Sequence, residues 1–275
     1  MSELSEFLPS NEVHLWVTRP RILQDGELLE RYAALLSDSE RGRQQRYRFA
    51  RHRHDDLVSR ALVRTSLGHY LAMPPAELRF ASGDRGKPYL VNPPVPLEFN
   101  LSHTEDFIVC AVAGTRAVGV DVEWLQRRSD TAALARRYFS ERENALLLDL
   151  AGERQRDRFF DYWTLKESYI KACGQGLAIP LRHVSFEIGE SADEFINDQI
   201  ELRFVPGRDD RPDDWCSWLI RPHRDYRMAL TVRVRAEPRP RVRFFVSVPL
   251  LSTQEVSLPL SPDPGPSRPE APRQG

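Results

Sequence analysis

Between Phe159 and Leu177 the chain reads FFDYWTLKESYIKACGQGL, and its apolar positions follow a helical period. Phe159, Trp163, Ile170 and Cys173 fall on one buried face of such a helix. The polar positions are patterned too: Glu167 and Lys171 share a stripe, with Lys166 beside them. Gly174 and Gly176 follow Lys171 and predict the end of the helix. A solvated helix with one surface ion pair would show the same spacing.

Upstream, HLWVT (14–18) reads as a strand closed by Pro20. Leu28 to Leu36 has helical spacing, and Ser37 with Glu40 forms a capping-box signature. From Arg41 to Tyr70 one side is rich in Arg and His while Leu57, Ala61, Leu62, Leu67 and Leu71 supply an apolar face. Two consecutive helices, or one interrupted near Phe49, fit this stretch. ELRFASGDRGKPYL predicts two short strands about a Gly turn. Strands are expected at Leu97–Asn100, Phe107–Ala113 and Val118–Val122, and a helix over 131–150 with Leu134, Tyr138, Phe139, Leu146 and Leu150 inward. HVSFEI, ELRFV, WCSWLI and MALTVRV then alternate as short strands.

Both halves thus run strand, helices, antiparallel strands, which predicts an α+β protein of two lobes, 1–116 and 117–236, joined near 114–118. From Glu237 the composition shifts, and this 237–275 extension holds 9 of the chain's 21 prolines. A disordered tail is expected after 260. RFFVSVPL (243–250) reads equally as an added edge strand or as a weak binding surface.

Composition narrows the function. With 39 basic and 40 acidic residues the chain lacks the basic excess of a bulk nucleic-acid binder. Cys110, Cys173 and Cys216 show no paired metal spacing and suit a reducing compartment. MSELSEFLPSNE lacks the basic start and apolar run of a signal peptide, and no stretch approaches a membrane span. A cytoplasmic, monomeric protein with no nucleic-acid or membrane partner is the expectation.

Candidate chemistry centres on AVGVDVEW, where Asp121 and Glu123 leave one face of a predicted strand. An exposed amphipathic edge would look the same, but AVGV is apolar on both faces and suggests a buried strand, where carboxylates need a partner. A hard divalent ion shared with Glu167 would supply one; three carboxylates without a His or Cys cluster favour magnesium over zinc. His103, at the end of a strand in NLSHTED, is either a turn histidine, with Ser102 or Asn100 capping the loop, or a phosphate donor. Arg51 and Arg53 are ordinary surface charges by residue type, whereas Gly86 and Pro88 fix Lys87 on a rigid turn. Neither a Gly-rich phosphate loop nor a nucleophile elbow occurs. The residues offer an acidic metal site, phosphate-reading cations and no covalent nucleophile.

The motifs GKP, NLSHT, VGVDVEW and FFDYWTLKESYIKACGQGL, in this order, make the chain resemble the 4'-phosphopantetheinyl transferases of the two-lobed, Sfp-like group over residues 12–235. The resemblance implies two similar α+β lobes related by a pseudo-twofold, with coenzyme A and magnesium in the cleft between them. It implies transfer of 4'-phosphopantetheine from coenzyme A to a serine of an apo acyl or peptidyl carrier protein, releasing adenosine 3',5'-bisphosphate. Carriers of fatty-acid, polyketide or nonribosomal-peptide synthesis fit alike. Asp121, Glu123 and Glu167 match the metal positions; His103, Lys87 and Lys171 match contacts to coenzyme A phosphates; Arg51 resembles a reader of the 3'-phosphate. Ser102 and Lys166, beside these in their motifs, join the coenzyme A set, and Glu167, Lys171 and His103 the catalytic one. The HRH after Arg51 and the proline-rich tail depart from the family pattern. Alternatives are another magnesium-dependent diphosphate-cleaving transferase and a non-catalytic module that binds carrier protein or coenzyme A.

Overall fold

A computed structural model describes residues 8–206, 210–235 and 237–260. The tail expected to be disordered, 261–275, lies outside the described residues. Strand β1 (Glu12–Thr18) stops before Pro20, and helices α1 (Gly26–Leu35), α2 (Asp38–Gln45) and α3 (Ala50–Leu71) follow. Asp25 caps α1 by accepting from the Leu28 N–H at 2.8 Å, and Ser37 with Glu40 forms the expected capping box on α2. The break falls at Phe49, so the two-helix reading of the Arg-rich stretch holds. A hairpin of β2 (Phe80–Ser82) and β3 (Pro88–Leu90) precedes β4 (Glu98–Thr104), β5 (Phe107–Ala113) and β6 (Val118–Trp124). Helices α4 (Thr131–Tyr138), α5 (Glu141–Leu148) and α6 (Gly152–Cys173) come next. The single helix expected over 131–150 is two, because Ser140 starts a new one with Glu143 closing its capping box. Strands β7 (Val184–Ile188), β8 (Ile196–Asn197), β9 (Ile200–Phe204), β10 (Trp215–Ile220), β11 (Tyr226–Arg233), β12 (Arg241–Val248) and β13 (Ser252–Val256) complete the chain.

The α+β class read from the sequence is the one found. Two larger sheets run β13-β12-β1-β5-β4 and β6-β11-β10-β8. All their pairings are antiparallel except β1 with β12, where Glu12 stands opposite Arg241 and Val17 opposite Val246. RFFVSVPL is therefore largely strand, and it joins the sheet that begins the chain. Val13, Leu15 and Val17 pack with Val120, Met228 and Leu230 in a core shared by the two sheets, while Trp16 packs with α1 and α3 on the opposite face. Burial of both faces explains why β5 (FIVCAVA) is apolar without alternation. No helix among the described residues is long and apolar enough to cross a membrane.

Two features position the site. The edge strands β4 and β6 meet through a row of β4 side chains: Asn100 Oδ1 accepts from the Val120 N–H at 2.9 Å, Ser102 Oγ from Val122 at 3.3 Å and Thr104 Oγ1 from Trp124 at 3.3 Å. Polar residues at every second position thus satisfy backbone donors that an edge would leave buried and unpaired. Helix α6 lies against β6 so closely that a Cβ on Gly119 would stand 2.1 Å from the Ser168 carbonyl oxygen. Glycine is required there by space.

Candidate active site

The three candidate acids arrive from these two elements. Asp121 and Glu123, two apart on β6, are buried, and Glu167 is half-buried on α6. Asp121 Oδ1 meets Lys171 Nζ at 2.6 Å and accepts from Ser102 Oγ at 3.0 Å, while its Oδ2 is buried with no hydrogen-bond partner among the described residues. Glu123 accepts from Arg127 Nη1 with both oxygens, at 2.8 and 2.9 Å, and from Trp163 Nε1 at 3.0 Å. Burial and then the Asp121 charge push both Glu123 and Glu167 up to about 7, against the pull of Arg127 and Lys171. Among the described residues no three His, Cys, Asp or Glu side chains already stand together as a closed ligand set. The donor chemistry nevertheless fits a hard divalent cation: the acids are all oxygen ligands, they repel one another, and one buried carboxylate oxygen is orphaned.

Cations line the same region. Lys171 Nζ also reaches Ser102 Oγ at 3.0 Å and the Val120 carbonyl at 3.3 Å. It turns to Asp121 across the seam, so the helix-surface pair with Glu167 is not the contact formed. Lys87 Nζ donates to the carbonyls of Val118 (3.1 Å) and Ala172 (3.3 Å), tying the hairpin to β6 and the end of α6. Burial holds its pKa below the ordinary lysine value. His103 lies within β4 rather than after a strand end, on the face opposite Ser102. Its outer surface is open but its flanks are crowded, which lowers its pKa against the opposing pull of Asp55. Arg51 meets Glu105 at 2.5 Å and Asp55 at 3.6 Å, and the Asp55 charge also acts on His103. Between α2, α3 and the β2–β3 hairpin a cavity of about 1110 Å³ opens, lined by basic and acidic side chains alike, among them Arg43, Arg60, Arg79, Glu40, Asp56 and Glu77.

A model of the 4'-phosphopantetheinyl transferase superfamily matches residues 117–231, and one of the 4'-phosphopantetheinyl transferase N-terminal region matches residues 25–115. The 4'-phosphopantetheinyl transferase HetI of Nostoc sp. is 42% identical over 173 residues, covering 62% of this chain and 72% of HetI. The chain belongs to the 4'-phosphopantetheinyl transferases. A 4'-phosphopantetheinyl transferase of Bacillus subtilis is 33% identical over 58% of this transferase and 69% of its own length. Sfp of Bacillus subtilis strain 168 is 28% identical over 63% and 75% of the two chains.

Of the residues singled out in the transferase sequence, Asp121, Ser102 and Lys171 are in direct contact, with Glu123 and Glu167 around them. Lys166 is the exception. It is fully buried, pairs with the equally buried Glu143 at 2.7 Å, and donates to the carbonyls of Leu181 (2.9 Å) and Val184. A step of one residue turns a side chain about 100° around a helix, which carries Lys166 from the cleft into the core beneath β7. It cannot contact coenzyme A there. Two residues of the site escaped the sequence reading. Trp163 looked like core alone, although its indole N–H aims at Glu123; Arg127 lies four residues after Glu123 in a turn, where helical spacing rules do not apply.

Proposed function

We propose that this chain transfers 4'-phosphopantetheine from coenzyme A to a serine of an apo acyl or peptidyl carrier protein, at the seam of β4, β6 and α6. One observation carries the placement: Asp121, with an orphaned oxygen, is ringed by Glu123, Glu167 and Lys171 on a border that both sheets build. Asp121, Glu123 and Glu167 would hold magnesium, which when bound neutralises charge on the diphosphate of coenzyme A. Lys171 Nζ, on the same border, stabilises the phosphoryl oxygens as negative charge moves to the leaving phosphate. The Glu167 carboxylate has no ion pair or hydrogen bond among the described residues and takes the serine proton, directly or through water. The serine oxygen forms a bond to the phosphorus bearing pantetheine, and the bond from that phosphorus to the adenosine 3',5'-bisphosphate oxygen breaks. His103, Arg51 and Lys87 would read the phosphates at the nucleotide end of coenzyme A.

We read the enzyme as a cytoplasmic monomer. Incubating it with apo carrier protein, coenzyme A and magnesium tests the reading. The expected result is a carrier heavier by one phosphopantetheine group; an unmodified carrier at full enzyme occupancy contradicts it.

A further inference from the structure

Arg127 holds the one carboxylate of the cleft that is fully engaged. Its Nη1 meets both oxygens of Glu123, at 2.8 and 2.9 Å, and Trp163 Nε1 takes one of them again at 3.0 Å. The guanidinium lies 5.7 Å from the Phe160 ring centre and 6.0 Å from that of Trp163. Its Nε is buried and has no hydrogen-bond partner among the described residues, so only Nη1 is held by a hydrogen bond. The backbone beneath it is fixed: Arg156 Nε donates to the Leu125 carbonyl at 2.7 Å, and Arg156 Nη2 donates to that of Arg127. The side chain itself is 34% exposed, enough to leave without moving the turn.

We propose that Arg127 is a stand-in cation for the acidic cleft, neutralising Glu123 in the metal-free enzyme and leaving it when magnesium loads. This rests on the reading of Asp121, Glu123 and Glu167 as the metal site. The physical ground is competition. A divalent ion on Glu123 would share two carboxylate oxygens with a guanidinium already contacting both, and two cations on one small anion repel. With its backbone anchored by Arg156, the arginine answers by a side-chain swing toward solvent, where an anionic phosphate of the substrate can take it up. Lys171 has no equivalent exit: it also bonds to Ser102 and to the Val120 carbonyl, which hold it at the seam. Arg127 is thus a positioning residue whose removal should strengthen the binding of the ion.

A merely structural ion pair predicts the opposite sign, since losing it would loosen Glu123 and weaken binding. Calorimetric titration of magnesium into the wild-type, Arg127→Gln and Arg127→Lys enzymes, without coenzyme A, separates the two. The expected result is magnesium affinity about fivefold higher in Arg127→Gln, with the lysine variant between it and wild type. Metal-free Arg127→Gln should melt below metal-free wild type, and the gap should close at saturating magnesium. Equal or weaker magnesium binding by both variants overturns the proposal while leaving the metal site intact. A wild type that binds no magnesium overturns the metal site itself.

Discussion

Asp121 uses one carboxylate oxygen twice and the other not at all, and that asymmetry defines the chemistry expected of the cleft. Replacing Asp121 by Ala should abolish magnesium binding and transfer together while the fold persists, because α6 and β6 are held by apolar packing. Calorimetry in which the variant binds magnesium as wild type does would sink the metal assignment. Asp121 and Glu123 were legible in the sequence because carboxylates alternating with valines on a buried strand demand a partner. Lys166 was misread because its partner, Glu143, sits in a different helix, and no local spacing announces a pairing across the core. A second prediction at this scale concerns acid. Burial pushes the Glu40 carboxyl up, but the Ser37 N–H, Arg64 and Arg60 outweigh it and hold the group below its ordinary 4.5. A lowered folded pKa means that the unfolded chain binds the proton more readily. The stabilisation is therefore full above about 4.5 and fades as pH falls through the folded value. Thermal melts of Glu40→Gln should lose less between about pH 6 and about pH 3 than those of wild type; equal losses would contradict the linkage.

At the scale of elements, function depends on how closely α6 approaches β6. The backbone of Ala172 would lie 2.3 Å from a Cβ at Gly119, so no side-chain adjustment can relieve the overlap. Gly119→Ala should cost about 3 kcal/mol or more and move Glu167 and Lys171 away from Asp121. A purified variant with wild-type melting temperature and activity would show that the helix can shift without consequence. The elements themselves were largely readable, since capping boxes, proline stops and apolar periodicity are local. The seam was not. Asn100, Ser102 and Thr104 alternate on β4 as an exposed face would, yet they are turned into the junction to serve the N–H groups of β6. Only the neighbouring edge, brought there by the whole fold, gives those side chains their meaning.

For the whole molecule, the C-terminal strands are part of the frame that carries the site. Strand β12 covers the edge of β1, and Arg243 joins Glu12 at 3.0 Å and Glu255 at 2.5 Å. Ending the chain after Arg239 should expose the β1 edge, lower the melting temperature by several degrees and promote association through that edge. A monomeric, equally stable product would show that the strands are dispensable.

The proposed role of the Glu167 carboxylate is proton transfer at the junction of β4, β6 and α6. Glu167→Gln keeps the shape and removes a mutually repelling carboxylate, so the metal-free variant should melt no lower than wild type. Its rate of carrier modification at saturating coenzyme A and magnesium is the decisive measurement. A fall of about two to four orders of magnitude is predicted; turnover close to that of wild type would exclude Glu167 as the base.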